Sequence, residues 1–596
     1  MVSGGKRADL DLSGEMNYQE GFNQRFLRGV VRRLNNLRIT QVARRIAANA
    51  PACAGRPIAF FKASTGIDDL SWNSGFHLLV SWALRLQGVP VVYFACEAGM
   101  SRCVLGTQRD HVEKAPPCRS CIQQSRTLYT GVPASIDRAA PTTEASRVHW
   151  FDFARDAQLE AALASLPLRE LVHFEWPADG GDGSANEAQQ SKSGQDSATN
   201  AQRASIPLGA LCLPGLRWIL RRHNLQDDDS TRFLLKEYIL SAWSVAQRFS
   251  AFLNAVDPQA VVVFNGQFFP EAVARHVARK RGVRVITHEV GLQPASAFFT
   301  SGEATAYPIR IPGDFELSDE QNARLDAYLE QRFQGRFSMA GIQFWPSMRG
   351  LDQAFLTKAS GFRQIVPIFT NVIFDTSQPH ANTVFRDMFE WLDMLLVEIR
   401  SHPDTLFVIR AHPDETRVRK ESRETVEAWV ERTGTGQLDN VLFIAPKEYL
   451  SSYELIQRAK FVMVYNSTIG LEASILEVPV LCGGRARFTQ YPTVFFPQTP
   501  VEQARAMREF LSAERIVVPG EHKRNARRFL YYQLFRTSLP FGEFLEPSVR
   551  KTQTRLKGFD LEALLQADSV RAVLDGLLDD GEFLVSEHKQ SRGGSH

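Results

Sequence analysis

The span from Leu406 to Gly484 concentrates residue types that could do chemistry. It reads LFVIRAHPDE and then, after a helical spacer, VLFIAPKEYLSSYELIQRAKFVMVYNSTIGLEASILEVPVLCGG. Two apolar runs, Leu406 to Arg410 and Phe461 to Tyr465, read as parallel strands that close on small or polar residues. That is the layout of a nucleotide-phosphate site at the carboxyl edge of an open α/β sheet. Asn466, Ser467 and Thr468 can cap a helix starting near Ile469, whose unpaired N–H groups and dipole make an anion site. Gly470 leaves room for close approach, and Glu472, one turn in, could accept hydrogen bonds from ribose hydroxyls. The competing reading is an ordinary capped helix with Glu472 on a solvated face. His412 precedes Pro413, which stops regular structure and presents the imidazole to the same edge, with Arg410 two residues before it.

The cysteines form a second constellation. Four of the seven, Cys96, Cys103, Cys118 and Cys121, follow the spacing C-x6-C-x14-C-x2-C. Clustered thiols in a reducing compartment favour a metal over disulfides. Pro116 and Pro117 suit a tight knuckle before Cys118, and four thiolates suit a tetrahedral structural zinc. An iron–sulfur cluster uses the same ligand type, and unligated core or redox thiols remain open. Cys53, Cys212 and Cys482 stand alone in apolar stretches and are expected to be buried.

The segments RAHPDE, SSYELI, YNSTIGLEA and PVLCGG, in this order, resemble the nucleotide-sugar-binding half of bacterial capsule and surface-polysaccharide glycosyltransferases of the GT-B fold. The HP step and the S/T-x-G-x-E step are also similar to the CDP-glycerol phosphotransferases of teichoic acid synthesis. The likeness runs over residues 360–545 and is looser in the N-terminal half, where FFKASTG, FNGQFFPEA and HEVG resemble acceptor-side turns. It implies an α/β protein of two Rossmann-like doubly wound domains facing a cleft. It also implies a nucleotide-sugar donor (CMP, UDP, GDP or dTDP) touched by His412, Ser467, Thr468 and Glu472, with Asn371 of IFTNVIFD on the first loop of the donor domain. The implied activity is transfer of the sugar to a growing surface polysaccharide or glycolipid. A nucleotide-sugar epimerase on the same scaffold and a non-catalytic capsule-assembly scaffold are the alternatives.

Transfer requires that leaving-group charge be stabilised and an acceptor hydroxyl be deprotonated. His412, Arg410 and the helix end at Thr468 answer the first need, and no DxD-like metal motif stands near them, so the donor site is expected to be metal-independent. The base should come from the opposite half. Asp68 and Asp69 follow the Gly66 turn, and His288 and Glu289 end a strand in THEVG; Asp69 and Glu289 are the favoured candidates. Each also has an ordinary reading as a helix cap or a backbone partner. Replacing His412 or Glu472 by Ala is expected to abolish transfer and leave the fold intact.

These residues need elements to position them. The chain has 596 residues, 44% of them hydrophobic, enough for more than one core. With 69 basic against 66 acidic residues it lacks the basic field of a nucleic-acid binder. No apolar run approaches the roughly 20 residues that cross a bilayer, and the start has no signal-peptide pattern, so a cytoplasmic location is expected. Residues 1–50 read as a polar tail and a basic helix over 25–47. That helix either leans on anionic lipid, peripheral at the inner membrane, or docks on its own domain. Residues 51–312 alternate strands and helices as a parallel doubly wound sheet does. They carry the cysteine knuckle and a polar insertion, 178–205, expected to be disordered. Residues 313–362 form a linker, 363–515 the donor domain, and 516–596 C-terminal helices and a tail whose aromatics, RRFLYYQLFRTSLPFGEFL, pack across the junction.

Overall fold

The computed structural model describes residues 22–62, 67, 69–133, 146–178, 205–334, 348–417 and 420–586. Asp68, Gly66 and nearly all of the 178–205 insertion lie outside the described residues. In chain order the first half runs α1 (Phe22–Asn49), β1 (Ile58–Lys62), α2 (Trp72–Leu86), β2 (Val91–Cys96), α3 (Cys118–Leu128), β3 (Arg147–Phe151), α4 (Asp229–Val256), β4 (Ala260–Phe264), α5 (Glu271–Lys280), β5 (Arg284–Val290) and β6 (Ser296–Thr300). After α6 (Asp319–Phe333) a second series follows: β7 (Gln364–Phe369), α7 (Met388–Ser401), β8 (Thr405–Arg410), β9 (Val441–Ile444), β10 (Val462–Val464), α8 (Ile469–Ile475) and β11 (Val480–Cys482). The chain ends through α9 (Gly520–Tyr531), β12 (Leu539–Pro540) and α10 (Asp568–Leu578).

Two sheets result. The first has the order β12-β6-β5-β4-β1-β2-β3 and the second β9-β8-β7-β10-β11. All five strands of the second are parallel. In the first, β1 to β5 are parallel, and β6 and β12 extend the edge by antiparallel pairing. Every residue of β1 and of β8 is buried, as a parallel strand covered on both faces requires. Alternate residues feed two apolar layers: Phe60, Tyr93 and Val262 on one side of the first sheet, and Phe61, Phe94 and Val263 on the other. Leu406 and Val408, against Phe407 and Ile409, do the same for the second. In each sheet the chain winds outward from a central strand and then crosses to the other side. The switch falls between β1 and β4 in one and between β7 and β10 in the other, and ligands favour such crevices.

The expectation of a parallel α/β protein holds. The C-terminal region, expected as appended helices and a tail, returns instead to the first sheet. Leu539, Phe541, Phe544 and Val573 are buried in that sheet's core, and β12 pairs with β6. Of its aromatics, the rings of Tyr531 and Tyr532 pack on Phe315 of the expected linker, at 6.3 and 4.8 Å. The second half of α1 docks through the buried Ile39, Val42, Ala43 and Ile46, whereas Phe26, Leu27, Val30, Leu34 and Leu37 are exposed. No described helix is long and apolar enough to cross a membrane. Cys212 and Cys482 are buried as expected; Cys53 is only half-buried, because it sits in the irregular stretch ahead of β1.

Candidate functional site

Three strands of the second sheet deliver their carboxyl ends to one place. The residues after β7, β8 and β10, together with Ser451 and Ser452, line a cavity of about 310 Å³; Arg410, His412, Ser467 and Thr468 are in its wall, and Arg332 comes from α6. The loops are tied to each other. Asn371 Oδ1 accepts the Asn466 N–H at 3.2 Å, and Thr370 Oγ1 donates to the Arg410 carbonyl at 2.9 Å. Asn371 therefore acts here as a clasp between the first loop and the turn before α8, outside the cavity wall.

His412 Nδ1 accepts the Asp414 N–H at 3.1 Å. That bond assigns the ring proton to Nε2, which is thereby a donor. Burial lowers the imidazole below its usual range, opposed by Asp414 and Asp375, so at neutral pH the ring acts as a hydrogen-bond donor and carries no charge. Arg410 is buried, donates to the Leu450 carbonyl and lies 3.8 Å from Met348 Sδ. Burial pulls it down to about 10, which leaves a cation in the cavity wall.

The turn before α8 departs from expectation. Thr468 is the N-cap residue, yet no side chain caps the helix. Its backbone is already helical (φ −61°, ψ −18°), whereas side-chain capping uses an extended residue. Asn466 Oδ1 is buried without a partner, while Ser467 and Thr468 line the cavity. Gly470 serves packing, not ligand approach: a Cβ there would lie 2.9 Å from Val464 Cγ2. Glu472 is 4% exposed. Its Oε1 accepts from Arg332 Nε at 2.6 Å and its Oε2 from the Tyr453 hydroxyl. Both oxygens are thus engaged by protein, and the expectation that Glu472 is dispensable for the fold is corrected. An unpaired Arg332 in that setting would be costly.

The first half contributes Glu289 at the end of β5. It is half-buried and accepts from Asn265 Nδ2 and from the Val290 N–H. Lost hydration pushes its carboxyl up to about 7, against these hydrogen bonds. Asp375 and Arg487 of the second half lie within its electrostatic reach. His288 sits one residue earlier, fully buried, with neither ring nitrogen partnered. Asp69 goes elsewhere: it is 2% exposed and accepts from Asn35, Ser548 and the Leu70 N–H. It anchors α1 and the C-terminal segment, and these bonds correct its assignment as a base.

Arg332 stands in none of the sequence motifs, and Ser451 and Ser452 of SSYELI and Asp375 of IFTNVIFD do not stand out there as site residues. Arg332 arrives from a distant helix and leaves no trace in strand-end patterns. Asp375, exposed at the end of IFTNVIFD, acts electrostatically on His412, Glu289, Lys420 and Arg221, which marks it as a node between the halves. Cys96, Cys103, Cys118 and Cys121 line a separate cavity of about 30 Å³. Among the described residues, as the side chains stand, no three of His, Cys, Asp or Glu are grouped closely enough to hold a metal ion.

The arrangement is a cavity lined by hydroxyls, an imidazole and guanidinium groups at the carboxyl edge of a doubly wound sheet. Residues 359–491, which hold its donor-side candidates, match the profile of the family described as capsule polysaccharide biosynthesis protein. Over that segment the chain is similar to the capsule polysaccharide biosynthesis family that its motifs resemble. No curated protein matches the chain in sequence. Among solved structures, the KpsC beta Kdo 2,4 transferase of Thermosulfurimonas dismutans is similar at 13% identity, over 47% of this chain and 80% of that one, with a TM-score of 0.32. The beta Kdo 2,7 transferase of the same organism is similar at 13% identity, over 54% and 87%, with a TM-score of 0.29. The UDP-GlcNAc 2-epimerase of Methanocaldococcus jannaschii, in complex with UDP-GlcNAc and UDP, is similar at 14% identity, over 49% and 81%, with a TM-score of 0.23. Likeness at these scores carries no argument about chemistry.

Proposed function

We propose that the protein is a glycosyltransferase of GT-B type, its two sheets forming facing donor and acceptor domains. It transfers a sugar from a nucleotide-activated donor to a surface polysaccharide or glycolipid. The observation that carries this reading is the convergence of the His412 loop, the Ser451–Ser452 turn and the Ser467–Thr468 turn on one cavity at the switch point of the second sheet. A diphosphate there meets a neutral imidazole donor, two pairs of hydroxyls and the nearby Arg410 cation. Such preorganised donors stabilise the charge that develops on a departing nucleotide. Glu289, pushed up to about 7, is suited to accept the proton of an acceptor hydroxyl at neutral pH. Asp375 acts electrostatically on both His412 and Glu289 and favours the protonated form of each.

Thermal shift with CMP, CDP, UDP, GDP and dTDP tests the donor site, and at least one nucleotide is expected to stabilise the protein. His412→Ala should abolish that response and lower the transfer rate about 10²–10³-fold, the scale of losing one charge-stabilising donor. Donor turnover that needs no acceptor would point to an epimerase. A wild-type protein that responds to no nucleotide would leave only a scaffold.

A further inference from the structure

We propose that Cys96, Cys103, Cys118 and Cys121 hold one zinc ion that fastens the carboxyl end of β2 to the start of α3. The tetrapeptides CEAG and CVLG each bring a glycine N–H onto the sulfur of the cysteine three residues before it. The Gly99 N–H donates to Cys96 Sγ at 3.1 Å, and the Gly106 N–H donates to Cys103 Sγ at 3.3 Å. Neither glycine has room for a side chain: a Cβ would lie 2.2 Å from the Phe151 ring at Gly99 and 2.6 Å from Pro116 Cβ at Gly106. The backbone is therefore pressed against each sulfur, and amide donors aimed at sulfur favour the thiolate that a metal binds. Cys118 opens α3 and Cys121 stands one turn further on, so neighbouring positions of one helix face supply the second pair.

All four residues border the same small cavity of about 30 Å³. Its wall is otherwise apolar, with Ile67, Met100, Leu105 and Ile122, and all four cysteines are free of disulfides. Four thiolates around a divalent ion leave a net charge of two minus, which needs a counter-charge in so apolar a setting. The ammonium of Lys62, at the end of β1, is within electrostatic reach of Cys121. The side chains as they stand do not close on a common point. Zn–S bonds of about 2.3 Å then require the sulfurs to swing inward on turns that are already formed. The site would pin the chain between β2 and α3 at the carboxyl end of the first sheet.

The full-length protein, purified without chelator, should contain one zinc per chain by elemental analysis. Cys118→Ser combined with Cys121→Ser should remove it. Cobalt exchange into the wild type should give the intense thiolate-to-cobalt absorption of a tetrahedral four-sulfur site, and a mercurial should release one zinc per four thiols titrated. Iron with acid-labile sulfide in place of zinc would overturn the assignment. So would a metal-free wild type that takes up no cobalt and whose four thiols react freely. Should the double variant not fold, the wild-type metal content and cobalt spectrum still decide. None of these readouts depends on nucleotide binding, so the zinc site and the transferase reading fail separately.

Discussion

The two sheets share a winding order and differ at their switch points. At the second, strand ends give way to Thr, His, Ser and Asn, and the edge opens into a cavity of about 310 Å³. At the first, Gly266 and Gln267 after β4 border a cavity of about 350 Å³ with Arg275 and His276, while the end of β1 is packed. Lys62 Nζ donates to Ser74 Oγ at 2.9 Å, and burial pulls the ammonium down to about 8. The rings of His77 and His288 lie 4.4 Å apart, among Phe60, Phe264 and Phe299, with no partner on any ring nitrogen. Burial lowers both imidazoles well below their usual range, so neither carries charge at neutral pH. The same topology thus gathers hydroxyls, an imidazole donor and a guanidinium at one switch point and a buried lysine beside two uncharged imidazoles at the other. A doubly wound sheet supplies a location, and the side chains at its strand ends decide the chemistry.

Glu289 is the group at the first edge for which we propose chemistry, and it carries the largest expected effect. If it is the base, kcat/KM rises as pH rises through about 7, and Glu289→Gln lowers the rate about 10²–10⁴-fold and removes that limb. Stability should move the other way. A carboxyl raised from 4.5 to about 7 binds its proton more tightly in the native state. Its contribution is therefore complete below the unfolded value and is lost as pH rises through about 7. Activity and stability should trade against each other across that window in the wild type and not in the variant. A Gln variant with an unchanged rate profile would move the base to another residue and leave the first edge purely structural.

The next effect sharpens the second edge. Glu472→Ala strands the Arg332 guanidinium, whose partner oxygen now lies 2.6 Å away. Breaking such a buried pair costs about 3–5 kcal/mol, read as a lower Tm or denaturant midpoint. Replacing both residues by Met should recover most of the loss. Nucleotide Kd for that double variant then separates two roles. An unchanged Kd makes the pair scaffold, whereas a weakened one restores the ribose contact that the motif suggested.

The parallel architecture was legible because alternating apolar runs and helical spacers are local. So was the meeting of the His412 loop with the turn before α8, since β8 and β10 both flank β7 and both motifs sit at strand ends. What escaped was long-range. Asp69 looked like a loop acid after a glycine, but its partners Asn35 and Ser548 lie 34 and 479 positions away. Gly470 looked like a ligand contact because its reason, the Val464 methyl, belongs to the preceding strand's packing. The return of β12 to the first sheet depends on where β6 lies, which no pattern within residues 516–596 encodes.

The smallest effect concerns the polar contacts between the two halves of the chain. At the rim, Arg423 pairs with Asp110, and Arg109 approaches Glu421 to 3.8 Å. Glu424 accepts the His223 and Asn224 N–H groups at 3.0 Å each. The Asp110 side chain is 58% exposed, so Asp110→Asn should cost only about 0.2–1 kcal/mol and should matter less as salt rises. Despite some desolvation, Arg109 and Arg423 hold the Asp110 carboxyl below its usual value of 3.8. The pair's contribution is therefore present above that value and fades as pH falls through the lowered one. Glu424→Gln removes the stronger acceptor from two backbone donors and should shift Tm further than Asp110→Asn in the same buffer. If Asp110→Asn instead changes nucleotide Kd tenfold with Tm unmoved, the rim pairs govern closure between the edges, and the comparison becomes one of open and closed states.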